Sequence, residues 1–231
     1  MNTSTIPFGL AFMDRQGELF GEHLFSSGAK NYHGFMPSLI YLFSSQNRAL
    51  EDIEAIFVAT GPGSFTGLRV GLSMAKGLAH GLKVPILGVS SLEAMAGQMP
   101  YATFPICAMI TSRKGEIFMA MFHWDHEKGL QRITGDNTMK LTDMPFVIEK
   151  STLFIGNDFR NQGNKMKDLL GEKAFLAPPH LWNLKASSVG NTGLKRFLKD
   201  ESDNIRDLVP RYLRPPDIRP NPFHSLSQEV I

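Results

Sequence analysis

A single cysteine in 231 residues rules out a disulfide framework within the chain. That residue, Cys107, sits in the apolar stretch 104–110 and reads as a buried, unreactive thiol. Long apolar runs are also missing. No stretch approaches the ~20 apolar residues that a membrane span needs. The first residues are polar, without the basic lead and apolar core of a secretory leader, so the expected address is the cytoplasm, with no membrane partner. There is no excess of either charge: 24 basic against 22 acidic residues leave a net charge of +2. Such a balance demands no nucleic-acid partner, and any RNA contact would come from a local patch.

Several catalytic signatures are absent as well. No Gly-Lys-Ser/Thr precedes a helix, and no Gly-x-Ser-x-Gly occurs, because position 66, two after Ser64, is Thr. Paired metal-ligating histidines are lacking too. His33 has Pro37 four residues later, and His123 and His126 flank a Trp-Asp turn with no evident third ligand.

The run Gly61-Pro62-Gly63-Ser64-Phe65-Thr66-Gly67-Leu68-Arg69 dominates what is present. It reads as a tight glycine turn (Gly61, Pro62, Gly63) opening into a helix through about Ala79. Glycine costs about 1 kcal/mol at a helix interior, so its repeated use requires a reason. Gly67, Gly71, Ala75 and Ala79 are four apart and share one face, where another backbone can approach closely. This helix is built to be packed against, by its own sheet or by another chain. A phosphate-binding reading is the weaker one, since the first lysine, Lys76, lies three turns in and the glycine spacing misses the dinucleotide pattern.

Around this helix the pattern alternates. Two strands, 8–13 and 18–25, form a hairpin across Asp14-Arg15-Gln16-Gly17. A helix is expected over Pro37–Ser45, a strand over Ile53–Ala59, and another over Val84–Val89. Ser90-Ser91-Leu92-Glu93 is a capping box for a helix to about Gln98. Strand–helix–strand order after an antiparallel opening predicts a mixed sheet with helices packed on it. The second half carries strands 106–111 and 116–123, then weaker signals for strands at 152–155 and 174–177 and for helices at 164–170 and 187–198. The boundaries drawn are 1–99 for a first lobe, 100–214 for a smaller second lobe, and 215–231 for a proline-rich extended or disordered tail.

Asn2-Thr3-Ser4-Thr5 is a hydroxyl-rich turn of the kind that holds phosphates in actin-like ATPases. Asn2 is neutral where a metal-anchoring carboxylate would be needed, so a structural turn is the better reading. Arg206, Arg211, Arg214 and Arg219 give the C-terminal region a basic bias, read as solvated surface rather than a phosphate track.

Four blocks together resemble one family, TsaB (also called YeaZ), the partner subunit of the system that makes threonylcarbamoyladenosine in bacterial tRNA. They are the glycine block 61–69, Gly88-Val89-Ser90-Ser91-Leu92, Arg113-Lys114-Gly115-Glu116-Ile117-Phe118, and Pro210-Arg211-Tyr212-Leu213-Arg214. The resemblance implies an actin-like (ASKHA, ribonuclease H-like) two-lobed α/β fold, with mixed sheets covered by helices and nucleotide and metal chemistry lost. It implies pairing with a TsaD homologue through the two N-terminal helices, at Pro37, Ile40, Tyr41, Ser64, Gly67, Leu68, Gly71, Leu72, Ala75, Leu78 and Ala79. A homodimer would form where that partner is absent. The ATPase TsaE would join the pair, tRNA contact would be indirect, and ATP and a metal ion would belong to the partner subunits. This chain would have no catalytic residue, cofactor or metal of its own. The sequence departs from the family at Asn2, which replaces an aspartate, and at Thr111-Ser112, which stand where an acidic residue is usual. It departs also ahead of Asn2, where Met1 alone replaces several apolar residues, so that the first strand is shortened or the start lies upstream. The competing reading is an independent actin-like phosphotransferase or a metal-dependent, glycoprotease-like hydrolase.

Overall fold

The computed structural model describes residues 1–26 and 29–215, with only the backbone described at 29–31. In chain order the elements are β1 (Phe8–Met13), β2 (Leu19–Phe25), α1 (Phe35–Ser44), β3 (Ile56–Gly61), α2 (Phe65–Leu82), β4 (Ile86–Ser90) and α3 (Ser91–Ala96). There follow β5 (Ile106–Thr111), β6 (Glu116–Asp125), β7 (Gly129–Arg132), β8 (Asn137–Lys140), β9 (Thr152–Gly156), α4 (Phe159–Leu170), β10 (Ala174–Leu176) and α5 (Ala186–Phe197). The anticipated elements all form within a few residues of their expected ends. The short strands β7 and β8 were not anticipated. The proline-rich tail expected over 215–231, Arg219 included, lies outside the described residues from 216 onward.

The second-half sheet runs β10-β9-β5-β6-β7, with β8 also paired to β6. β5 and β6 are antiparallel, while β5–β9 and β9–β10 are parallel. Alternation along β5 and β6 feeds two cores. Ile106, Ala108, Ile110, Phe118, Ala120 and Phe122 join one cluster with α3 and α5 residues. Cys107, Met109, Ile117 and Met119 join the other with Phe159, Met166 and Leu170 of α4. Helices on both sides explain why these strands are apolar at nearly every position. Cys107 is fully buried, and burial pushes its thiol pKa well above the ordinary range.

The first half differs from the single mixed sheet expected. β1–β2 is an antiparallel pair and β3–β4 a separate parallel pair. Backbone bonds of two residues join them: Asn2 exchanges two with Gly9, and the Met1 carbonyl accepts from the Ala59 amide.

The expected lobe boundary at residue 99 is crossed twice. Helix α5 packs on β1, β3 and β4. The amide of Ser187 in its first turn donates to the Glu22 carboxylate of β2, at 2.8 Å, which satisfies one of the donors a helix start leaves open. Residues 203–211 then return along β4 and β3. Asp203 accepts from the Gly88 amide at 2.7 Å, Arg196 donates to the Gly88 carbonyl at 2.9 Å, and the Arg211 amide donates to Thr60 at 2.7 Å. These are long-range polar contacts with no local sequence signature.

Helix α2 shows why its glycines are placed as they are. Its N-cap Ser64 accepts from the Gly67 amide, and Lys83 closes it in the left-handed region. A Cβ on Gly67 would overlap the Thr3 carbonyl, and one on Gly71 would overlap the Thr3 hydroxyl; at Gly77 and Gly81 it would meet nothing within 4 Å. Gly71→Ala is therefore expected to lower stability by about 1–3 kcal/mol or more through overpacking. Gly77→Ala should raise it by up to ~1 kcal/mol through helix propensity alone. Urea denaturation of the two variants measures both signs.

Candidate functional site

Two surfaces gather the residues that the sequence singles out. The first is the cleft where the hydroxyl turn, the glycine turn and the C-terminal block meet. Asn2 is buried; its side-chain oxygen accepts from the Ser4 amide and hydroxyl at 3.0 and 2.8 Å. Its amide nitrogen donates to Thr5 Oγ1 at 3.1 Å and to the Leu184 carbonyl at 2.8 Å. An aspartate could not make these last two donations, so Asn2 is a structural brace of the turn. The Ser64 amide, at the mouth of α2, is taken by the Ser4 carbonyl at 2.7 Å. The N-cap amide is thus satisfied by the chain's own backbone.

Three of the four sequence blocks line this cleft of about 400 Å³, with Ser4, Ser64, Ser112, Arg211 and Arg214 among its walls. Arg113 grips Glu116 through two bonds of 2.8 and 2.7 Å, and Arg214 reaches Glu116 at 3.5 Å and Ser112 at 3.3 Å. The hydrogen bond from Arg113, with the charges of Arg113, Arg214 and Lys140, holds the Glu116 carboxyl below its usual range. Ser112, where the family's acidic residue is expected, thus accepts from Arg214. The Arg69 guanidinium lies 4.0 Å from the centroid of the Phe65 ring and donates to the Tyr212 hydroxyl at 2.9 Å. Sequence reasoning missed Asn157, whose side-chain oxygen accepts from the Thr111 amide at 2.9 Å at the rim of the cleft. Of the arginines read as solvated surface, Arg206 and Arg211 are exposed.

The second surface is the outer face of α1 and α2, and here the structure corrects the site assignment. Gly67, Leu68, Gly71, Leu72, Ala75 and Ala79 are buried within the chain. The stripe of small residues receives Thr3 at Gly67 and Gly71, and packs on Ile56 and Val58 of β3 at Leu72, Ala75 and Ala79. These six residues cannot meet a partner directly. Leu78 is half-buried and, with Met74, joins the cluster of Leu39, Leu42 and Phe43 from α1, which sets the two helices on one shared core. Ser64 and Pro37 are exposed. So are Ile40 at 52% and Tyr41 at 66%, large apolar surfaces turned to solvent.

α2 carries a second smooth strip that the sequence reading overlooked. Thr66, Ser73, Gly77 and Gly81 are exposed and Val70 is half-buried. At 100° per residue these fall on one arc, flanking Met74 on the side opposite the buried stripe. The four-residue spacing of Ser73, Gly77 and Gly81 was the available signal.

Among the described residues no group of three or more His, Cys, Asp or Glu could hold a metal ion. No helix among them is long and apolar enough to cross a membrane.

A family model described as "TsaD: tRNA N6-adenosine threonylcarbamoyltransferase" matches residues 32–192. The chain belongs to this family, in its TsaB (YeaZ) branch. A Bacillus subtilis relative named tRNA threonylcarbamoyladenosine biosynthesis protein TsaB is 28% identical over 93% of this chain and 92% of its own length. The protein of the same name from Escherichia coli is 36% identical over 41% of this chain and 42% of its own. YeaZ from Pseudomonas aeruginosa superposes with a TM-score of 0.74 at 20% identity, covering 92% of this chain and 97% of that one. That structural likeness supports the actin-like α/β fold.

Because the Glu116 pKa is depressed in the folded state, its contribution is present above the unfolded value and is lost as pH falls through the folded one. Glu116→Gln should therefore destabilise the chain at pH 7, and the gap between variant and parent should close below about pH 4. Thermal melts across that range measure it.

Proposed function

We propose that this chain is a non-catalytic partner subunit in the formation of N6-threonylcarbamoyladenosine in tRNA. It would bind and support a TsaD homologue, with the ATPase TsaE joining the pair. Membership of the TsaB branch supports the pathway, since the Bacillus subtilis and Escherichia coli relatives are named for it. The observation that carries the partner role is the outer face of α1 and α2. There, exposed Ile40 and Tyr41 lie on the helix beside a strip whose Gly77 and Gly81 have open space where a side chain would be. A face of this kind lets a second helix approach to backbone distance while burying aromatic and aliphatic anchors.

The cleft supports the same division of labour. Its hydroxyl turn is braced by a neutral Asn2, and Ser4 and Ser64 accept from the Ser64 and Gly67 amides at the start of α2. On this reading ATP and metal chemistry reside in the partner subunits, tRNA contact is indirect, and the lone chain forms a homodimer through the same face.

Co-purification with a TsaD homologue tests the proposal. Gly77→Arg and Tyr41→Ala, both at exposed positions, should weaken pairing at least tenfold in Kd while leaving the melting temperature near that of the parent. Unchanged affinity in both variants would contradict it. Calorimetry of the lone chain with Mg-ATP should show no binding; saturable binding would favour the phosphotransferase reading.

A further inference from the structure

Helix α2 carries ionisable side chains of one kind only. Between Phe65 and Leu82 there are Arg69, Lys76 and His80 but no Asp or Glu, and Lys83 follows as the C-cap. At ~100° per residue these four fall within about 60° of arc, in a row on the side of the smooth strip away from Met74. Arg69, His80 and Lys83 are exposed and Lys76 is half-buried.

The face that α2 turns from the core therefore has two unlike halves. On one side Met74 and Leu78 lead to α1, with exposed Ile40 and Tyr41. On the other the basic row leads to the C-terminal segment. There Arg69 donates to the Tyr212 hydroxyl at 2.9 Å and Lys76 to the Arg206 carbonyl at 3.4 Å. Arg206 itself is exposed.

Gathering one sign of charge along a helix is mildly destabilising, so the row needs a reason. The helix dipole accounts for His80 and Lys83 at the C-terminal end, but not for Arg69 and Lys76 further back. Nor does the chain answer the row itself. Among the described residues no carboxylate forms an ion pair with any of the four, exposed Asp207 beside Arg206 included. A second copy would not answer it either. Two-fold pairing through this face sets the row against its own copy or against α1. Neither helix contains an acidic residue. An RNA backbone would match the charge but not the neighbouring surface, where aliphatic and aromatic side chains and open glycines suit a packed helix.

We propose that the partner on this face sets a row of Asp and Glu side chains against Arg69, Lys76 and Lys83. This charge match selects that partner over a second copy of this chain. The inference rests on the docking face of α1 and α2 proposed above. Ile40 and Tyr41 supply the anchors that are buried on pairing, while the flanking charges speed encounter and exclude like-charged competitors.

The test titrates a TsaD homologue against the parent, against a Lys76→Gln/Lys83→Gln pair and against a Lys76→Arg/Lys83→Arg pair. Melting temperatures of the pairs should stay near that of the parent. At about 0.05 M NaCl the glutamine pair should bind at least fivefold more weakly and the arginine pair as the parent does; at about 0.5 M the gap should close. Self-association should move the other way and tighten at least threefold in the glutamine pair at low salt. Equal partner affinity of parent and glutamine pair at low salt, with Tyr41→Ala still weakened, would overturn the charge match and leave the docking face standing. If Tyr41→Ala and Gly77→Arg were also without effect, the docking face itself would fail. Unaltered self-association would overturn the selection against a second copy. A glutamine pair that keeps its partner affinity but loses tRNA binding by the lone chain would make the row a phosphate contact, and would equally overturn the proposal.

Discussion

The close approach of Thr3 to helix α2 sets the geometry on which the rest of the molecule depends. Only glycine at 67 and 71 leaves room for the Thr3 carbonyl and hydroxyl, and that contact fixes the hydroxyl turn against the helix start. From there the Ser4 carbonyl holds the Ser64 amide, and Asn2 reaches across to the Leu184 carbonyl ahead of α5. One contact therefore couples the first residues of the chain, the helix that presents the outer face, and the last helix of the second half. Interiors packed at crystal density transmit such constraints, because a neighbour cannot give way by more than a few tenths of an ångström.

A consequence is that α2 is a helix with two smooth sides. Its inner side is consumed by the chain's own turn and by β3. Its outer side keeps Gly77 and Gly81, which cost helix propensity and where an added Cβ would meet nothing within 4 Å. These open glycines, with exposed Ile40 and Tyr41 on the helix that shares a core with α2, are the strongest reason to propose a partner there. The cleft on the far side of the turn is wired differently. Arg214 on its wall donates to the Ser112 hydroxyl and the Glu116 carboxylate of the same chain.

Much of this was legible in the sequence, and the failures have physical causes. The hairpin, the Ser90 cap, the buried Cys107 and the structural role of Asn2 follow from local chemistry. The four-residue spacing of Gly67, Gly71, Ala75 and Ala79 correctly signalled close packing, but periodicity alone does not say which side faces inward. The neighbouring spacing of Ser73, Gly77 and Gly81 carried the outward signal. The return of α5 and residues 203–211 to the first half was not legible, because it runs through contacts such as Arg196 with Gly88, which are distant in sequence. β7 and β8 are four residues each and partly exposed, too short for alternation to register.

The account turns on the outer face of α2 being a docking surface, and the chain's cysteine content offers a direct probe. Cys107 is buried with a raised thiol pKa, so it contributes no fast alkylation background. In a Ser73→Cys variant, maleimide should label position 73 rapidly in the lone, dilute chain and at least tenfold more slowly once a TsaD-family partner is bound. A cysteine placed at exposed Lys128 of the second half should label at the same rate in both states. Undiminished labelling at position 73 in a complex shown to have formed would contradict the account.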